Sequence, residues 1–184
     1  MSSQDKHSRL LKHDYVSRYA HIDLLAGVDE VGRGPLAGPV VTAAVILPKG
    51  YRLEGLTDSK KTTVKQREVL FERIGQDAIA VALGEASIQE IDSLNILQAT
   101  MLAMQRAVDA LAIRPQHILV DGNHCPGFAV PADAIIKGDG LVDCISAASI
   151  VAKVHRDRLM QDYALQYPHY GFDTNAGYPT AQHR

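Results

Sequence analysis

The chain has 184 residues, 46% hydrophobic and 22% charged, with a formal net charge of −2. That is an ordinary globular mix, long enough for a single domain over 1–184 with a proper core. No apolar run reaches the roughly 20 residues of a membrane span, no apolar segment follows the polar N-terminus as in a signal peptide, and the two cysteines stand alone, which argues against a disulfide framework or a cysteine-rich zinc site. The expected location is the cytoplasm.

Residues 3–20 carry Leu10, Leu11, Tyr15 and Tyr19 near helical spacing and predict a helix. Residues 24–28 form a short strand that ends at two adjacent acids, Asp29 and Glu30. Residues 39–47, P-V-V-T-A-A-V-I-L, read as a buried strand returning beside the first, and Pro48-Lys49-Gly50 turns the chain. Residues 57–63 are a polar loop in which Thr62 or Thr63 caps a helix over 64–75, with Val64, Val69, Leu70, Phe71 and Ile74 as its face. A third strand spans 78–86. The capping box Ser87-Ile88-Gln89-Glu90 opens a helix that runs to about residue 112, in which Met101 and Met104 are core packing.

Residues 117–121, H-I-L-V-D, make a buried strand ending in an acid, and residues 133–137 make another. Residues 143–164 form a long helix with the small residues Ala147, Ala148 and Ala152 on one side, and the aromatic, glycine- and proline-rich tail at 167–180 reads as a loop. The order describes an α/β domain with a mixed sheet flanked by helices. The early strands, tightly connected, should be antiparallel, and the strand at 117–121, reached by a helical crossover, should be parallel to a neighbour.

Acids recur at strand ends: Asp29 with Glu30, Asp121 and Asp139. In an open α/β sheet, ligands bind beyond the carboxyl ends of the strands. Carboxylates gathered there would repel and take up protons unless a cation sits among them. All-oxygen ligation favours Mg²⁺ or Mn²⁺ over zinc, and two such ions about 3.5–4 Å apart can activate water and stabilise the leaving oxygen of a phosphodiester. Adjacent strand residues point to opposite faces, so Asp29 and Glu30 share a site only if the strand bends or ends there.

Gly32, Arg33 and Gly34 follow at once. Glycines let a backbone approach a nucleic-acid strand closely, and Arg33 can make a bidentate phosphate contact. A dinucleotide fingerprint is the competing reading, but Gly32, Gly34 and Gly38 miss its spacing by one residue. The basic clusters Lys60, Lys61, Lys65, Arg67 and Lys153, His155, Arg156, Arg158 read as solvated faces available to phosphate. His155-Arg156-Asp157 resembles a kinase catalytic triplet but lies within a predicted helix with no companion glycine-rich loop. Lys153 and Arg156 are expected to face solvent or phosphate. Asp157 is a weaker candidate than Asp139 for the fourth carboxylate.

The motifs D-E-V-G-R-G at 29–34, V-D-G at 120–122, K-G-D at 137–139, A-A-S-I-V-A-K-V-H-R-D at 147–157 and G-Y-P-T at 177–180, with D-S-K at 58–60, resemble bacterial ribonuclease HII, the type 2 ribonuclease H. The resemblance implies an RNase H-like fold, cleavage of RNA in RNA–DNA hybrids, and incision 5′ of single ribonucleotides in duplex DNA to leave 3′-hydroxyl and 5′-phosphate ends. It makes Asp29, Glu30, Asp121 and Asp139 the catalytic acids holding two Mn²⁺ or Mg²⁺ ions. The Gly32-Arg33-Gly34 backbone would read the ribose 2′-hydroxyl, Tyr178 would stack on the following sugar, and Lys60, Ser149 and Lys153 would contact substrate. A monomer is expected, and a replication-clamp partner is left open. The family usually continues past G-Y-P-T into a further helical segment, whereas this sequence ends four residues later. The rival readings are a hybrid-binding module without turnover and another RNase H-fold nuclease such as a resolvase or transposase.

Overall fold

The computed structural model describes residues 3–56 and 62–181. Its centre is a five-stranded sheet in the order β3-β2-β1-β4-β5, built from β1 (Leu25–Val31), β2 (Val40–Ile46), β3 (Ala80–Ala86), β4 (His117–Asp121) and β5 (Ala132–Ile135). As expected from the connections, β1, β2 and β3 are antiparallel. Strand β4 returns parallel to β1, and β5 lies parallel to β4. The helices are α1 (Ser3–Arg18), α2 (Val64–Asp77), α3 (Ile88–Leu94), α4 (Ile96–Asp109), α5 (Asp143–Gln166) and the single turn α6 (Phe172–Asn175). None among the described residues is long and apolar enough to cross a membrane.

Strand alternation divides the core into two layers. On one face Ala43, Val45 and Leu119 pack under α5, with Leu70 and Ile74 of α2 beside it. On the other, Val28, Ala44, Ile46 and Val120 meet Met104 and Ala107 of α4. Helix α5 crosses β1 so closely that a methyl on Gly27 would overlap the backbone of Cys144 and Ile145. The small-residue side expected of α5 serves this approach, with Ala147, Ala148 and Ala152 fully buried.

Thr63 caps α2 in a full capping box with Gln66, and Ser87 does so for α3 with Glu90. Several expectations are corrected. Strand β1 runs on to Val31 and contains both acids. The one helix expected from 87 to 112 is two, broken at Asn95, whose φ is 71°. Asn95 serves both ends: its N–H donates to Ile91 O, and its Oδ1 accepts from the N–H groups of Leu97 and Gln98. Val64 and Val69 are exposed, so the buried face of α2 narrows to Leu70 and Ile74. Strand β5 starts earlier and is shorter than expected. The tail contains a 3-10 turn at Pro168–Tyr170 followed by α6. Lys60, with the 58–60 D-S-K stretch, lies outside the described residues.

Candidate active site

Strands β1 and β4 run side by side in parallel, with Val28 opposite Val120. One step on, Asp29 and Asp121 fall on the same face, under α5. Asp29 is buried and is held by a hydrogen bond with the Ser149 side chain, while its Oδ1 accepts from the Glu30 N–H at 2.7 Å. The chain then leaves β5 for a 3-10 turn at Gly138–Gly140. There the Asp139 N–H donates to Asp121 Oδ1 at 3.2 Å, bringing a further buried acid against the pair. The turn is itself anchored where the Ser146 hydroxyl of α5 donates to the Asp139 carbonyl.

By alternation Glu30 belongs to the opposite face of β1, yet it lines the same pocket as Asp29, Asp121 and Asp139. The strand does not end at the acids. It is near its edge, where a glutamate is long enough to turn back. Glu30 Oε1 lies 3.3 Å from Arg33 Nη1. The second oxygen, Oε2, is buried without a hydrogen-bond partner. Directly across the β1–β2 ladder stands Thr42, whose buried hydroxyl is likewise unpartnered.

The electrostatics of this pocket follow from burial. Asp29 titrates well above the usual carboxylate range, chiefly because it is desolvated and secondly because Glu30 and Asp121 are close, with Ser149 offsetting part of the effect. Glu30 is also raised by desolvation, against the pull of Arg33. A site that resists holding its negative charges in water's absence, and leaves a buried carboxylate oxygen without a partner, suits a divalent cation. Among the described residues no three acidic, histidine or cysteine side chains stand close enough together to hold a metal ion by themselves. Mg²⁺ is ordinarily held by one or two carboxylates together with waters and substrate phosphate.

The rim carries the other candidates. Lys153, Ser149 and Tyr178 line the pocket with the acids. Tyr178 is 42% exposed and its ring passes 3.5 Å from where a Cβ on Gly34 would stand. The Gly32-Arg33-Gly34 stretch follows the acids directly and continues into a loop clasped by the tail, with the Leu36 N–H donating to Gly177 O at 2.8 Å. Asp157 stands apart from the acids: it pairs with Lys153 at 2.6 Å and with Arg67 at 3.8 Å. Asp139, not Asp157, is the acid that joins the other three.

Two residues were misjudged from sequence. Arg67, expected on a solvated face, has a side chain only 12% exposed, donates to Thr62 O and lines the acidic pocket. Arg156, expected to face solvent or phosphate, is fully buried. Its Nε donates to Pro39 O at 3.1 Å, Nη1 to Ala176 O at 2.9 Å and Nη2 to Ala37 O at 3.0 Å. The available signal was its position three residues after Lys153 and seven after Ser149, on the helix face that carries the site.

Comparison with known proteins places this geometry in a family. A family model described as Ribonuclease HII matches residues 26–184. A Ribonuclease HII from Shewanella halifaxensis is 65% identical over 158 residues, covering 86% of this chain and 78% of that protein. The crystal structure of ribonuclease H2 from Pyrococcus horikoshii superposes with a TM-score of 0.72 at 31% identity, covering 85% of this chain and 81% of that one. The RNase HII of Archaeoglobus fulgidus, solved as a complex with PCNA, gives a TM-score of 0.72 at 26% identity, covering 86% and 84%. The mixed sheet flanked by helices is the RNase H-like fold, and the chain belongs to the ribonuclease HII family of ribonuclease H enzymes.

Proposed function

We propose that this ribonuclease H cuts the RNA strand of RNA–DNA hybrids and incises duplex DNA 5′ of single embedded ribonucleotides, a step in ribonucleotide removal during replication and repair. The observation that carries the reading is the meeting of Asp29, Glu30, Asp121 and Asp139 in one pocket beside the Gly32-Arg33-Gly34 loop and Tyr178.

Asp29, Glu30, Asp121 and Asp139 would hold two Mg²⁺ or Mn²⁺ ions, whose chemistry when bound is to supply a hydroxide-like nucleophile at neutral pH and to stabilise charge on the leaving oxygen. Water adds to phosphorus in line with the departing 3′ oxygen, which leaves as a 3′-hydroxyl while the phosphate stays on the 5′ end of the ribonucleotide. Ser149 orients Asp29. Lys153 sits at the pocket wall, able to turn from Asp157 to a substrate phosphate. The backbone around Gly32 and Gly34 reads the 2′-hydroxyl, the group that separates RNA from DNA. The exposed Tyr178 ring is a stacking surface for the next sugar. A sliding clamp, the class of partner held by the Archaeoglobus protein, is the proposed docking partner.

The test is cleavage of matched duplexes containing zero, one or four ribonucleotides, with Mg²⁺ or Mn²⁺. Metal-dependent incision of the last two, and none of the first, is expected. A folded sample that cuts neither ribonucleotide duplex would overturn the reading, and equal cutting of all three would reassign it to a nuclease indifferent to the 2′-hydroxyl.

A further inference from the structure

Arg156 is the bulkiest side chain among those fully buried in the described residues. A buried guanidinium ordinarily finds a carboxylate. Here it is held instead by backbone carbonyls from two separate segments: Ala37 and Pro39, just after the Gly-Arg-Gly stretch, and Ala176, two residues before Tyr178. The planar fork is what makes this contact feasible, since its donors leave in fixed, divergent directions.

Both segments are shaped around the guanidinium. Gly32 has φ +106°, and a Cβ there would lie 2.7 Å from Arg156 Nε. Gly38 has φ +90°, and a Cβ there would lie 3.1 Å from Arg156 Nη2. On the tail side, Ala176 and Gly177 both take positive φ, a conformation fixed by Asn175, whose Oδ1 accepts from the Gly177 N–H at 2.7 Å and whose Nδ2 donates to Tyr170 O at 2.7 Å. The chain emerges from this clasp with the Tyr178 ring against Gly34. Ser149, which holds Asp29, lies two turns earlier on the same helix. Helix α5 thus registers the acids with one side chain and the two rim segments with another.

We propose that Arg156 is the positioning residue that sets the spacing between the Gly32-Arg33-Gly34 backbone and the Tyr178 ring, and so the preference for cutting where a ribonucleotide is followed by a deoxynucleotide. This rests on the roles proposed above for that backbone and ring. A shift of an ångström at such a contact is enough to cost about a hundredfold in rate. It should act on the junction, where both elements are engaged, more than on internal ribonucleotides, where the ring meets a sugar carrying an extra hydroxyl.

The test is the distribution of cuts within a duplex carrying four consecutive ribonucleotides, comparing the RNA-to-DNA junction with internal positions. In Arg156→Lys, whose ammonium cannot span both segments, the junction-to-internal ratio should fall about tenfold or more. In a Tyr178→Ala background the ratio should already be lost, and adding Arg156→Lys should leave it unchanged. Calorimetric Mn²⁺ binding should stay within about twofold of the parent, because the acids sit on β1, β4 and the 138–140 turn and not on the clasped segments. Asn175→Ser, which loosens only the tail side, should lower the ratio too, and decides the matter if Arg156→Lys fails to fold. A ratio that holds in either folded variant, or a loss spread evenly over all cut sites, overturns the proposal. A parent that cuts but spreads its cuts evenly removes the junction reading and the proposal together, while a parent that cuts no ribonucleotide duplex removes the function itself.

Discussion

Gly27 is where β1 comes up against the backbone of α5, and replacing it by alanine tests the packing that sets the site. Gly27 lies in β1 outside the positive-φ residues, so alanine brings no backbone strain and the effect is one of contact alone. The new methyl would meet the Cys144 carbonyl carbon and oxygen and the Ile145 nitrogen, all inside the 3.0 Å that real Cβ atoms keep. These are backbone atoms in the first turn of α5, so no rotamer change relieves them and the helix must lift from the strand. Overpacking of this kind costs about 1–3 kcal/mol, and a rigid obstruction belongs at the upper end. For a chain of this size about 3 kcal/mol lowers the melting midpoint by roughly 6–12 °C. Gly75→Ala is the matched control: Gly75 sits in α2 with nothing within 4 Å of the added methyl, and should gain about 0.4–1 kcal/mol. Urea denaturation with an unchanged m-value reads both. A Gly27→Ala midpoint within a degree of the parent would refute the account of how α5 is seated.

Asp29→Asn should abolish cutting, by at least about a hundredfold, while raising the melting midpoint of the metal-free protein at neutral pH. Burial raises the Asp29 pKa, so the native state favours the protonated form; its contribution is intact below the unfolded-state pKa and is lost as pH rises through the folded one. The advantage of the asparagine should therefore shrink toward acid pH, and a variant less stable than the parent at pH 7 would contradict this. Mn²⁺ at a hundred times its dissociation constant should stabilise the parent by about 2.7 kcal/mol and Asp29→Asn far less, read as a shift in thermal midpoint. At the other end of the pH scale, the Tyr19 hydroxyl, desolvated and donating to Asp133 Oδ2 at 2.8 Å, has its pKa pushed up to about 12. Its contribution is full below the ordinary value of 10.0 and fades as pH rises toward about 12, so Tyr19→Phe should flatten that part of the stability profile. An unaltered slope between those limits would rule the contact out as the cause.

Strands β2 and β4, which flank β1, were legible because their residues obey one rule each. Strand β2 is apolar but for Thr42 and buried on both faces, and β4 is an apolar run ending in an acid. The capping box at Ser87 announced its helix by local chemistry, and a cap at Thr62 or Thr63 announced the one before it, which the structure assigns to Thr63. The break at Asn95 was hidden because the apolar spacing resumes on the far side, and periodicity does not register a single left-handed residue. The acids could be named from strand ends and motif, but not how Glu30 rejoins Asp29 from the opposite face, since that depends on the reach of its side chain in the folded strand. Arg156 was misread for a related reason: composition says arginine is exposed, and only the tertiary fold supplies carbonyls from residues 37, 39 and 176 to hold it.

The facing pair of Thr42 and Glu30 bears on how this protein would respond to directed evolution. Each has a buried oxygen without a partner, and an unpaired buried polar atom costs about 1–3 kcal/mol. Thr42→Val removes its unpaired atom outright and Glu30→Gln removes a charge that burial disfavours, so both are cheap routes to a hardier chain. A screen that scores survival after heating will enrich both, and one of them carries away an acid of the pocket proposed to cut. Libraries selected for heat tolerance alone should drift toward sturdy proteins that no longer cut, unless turnover is scored in the same round.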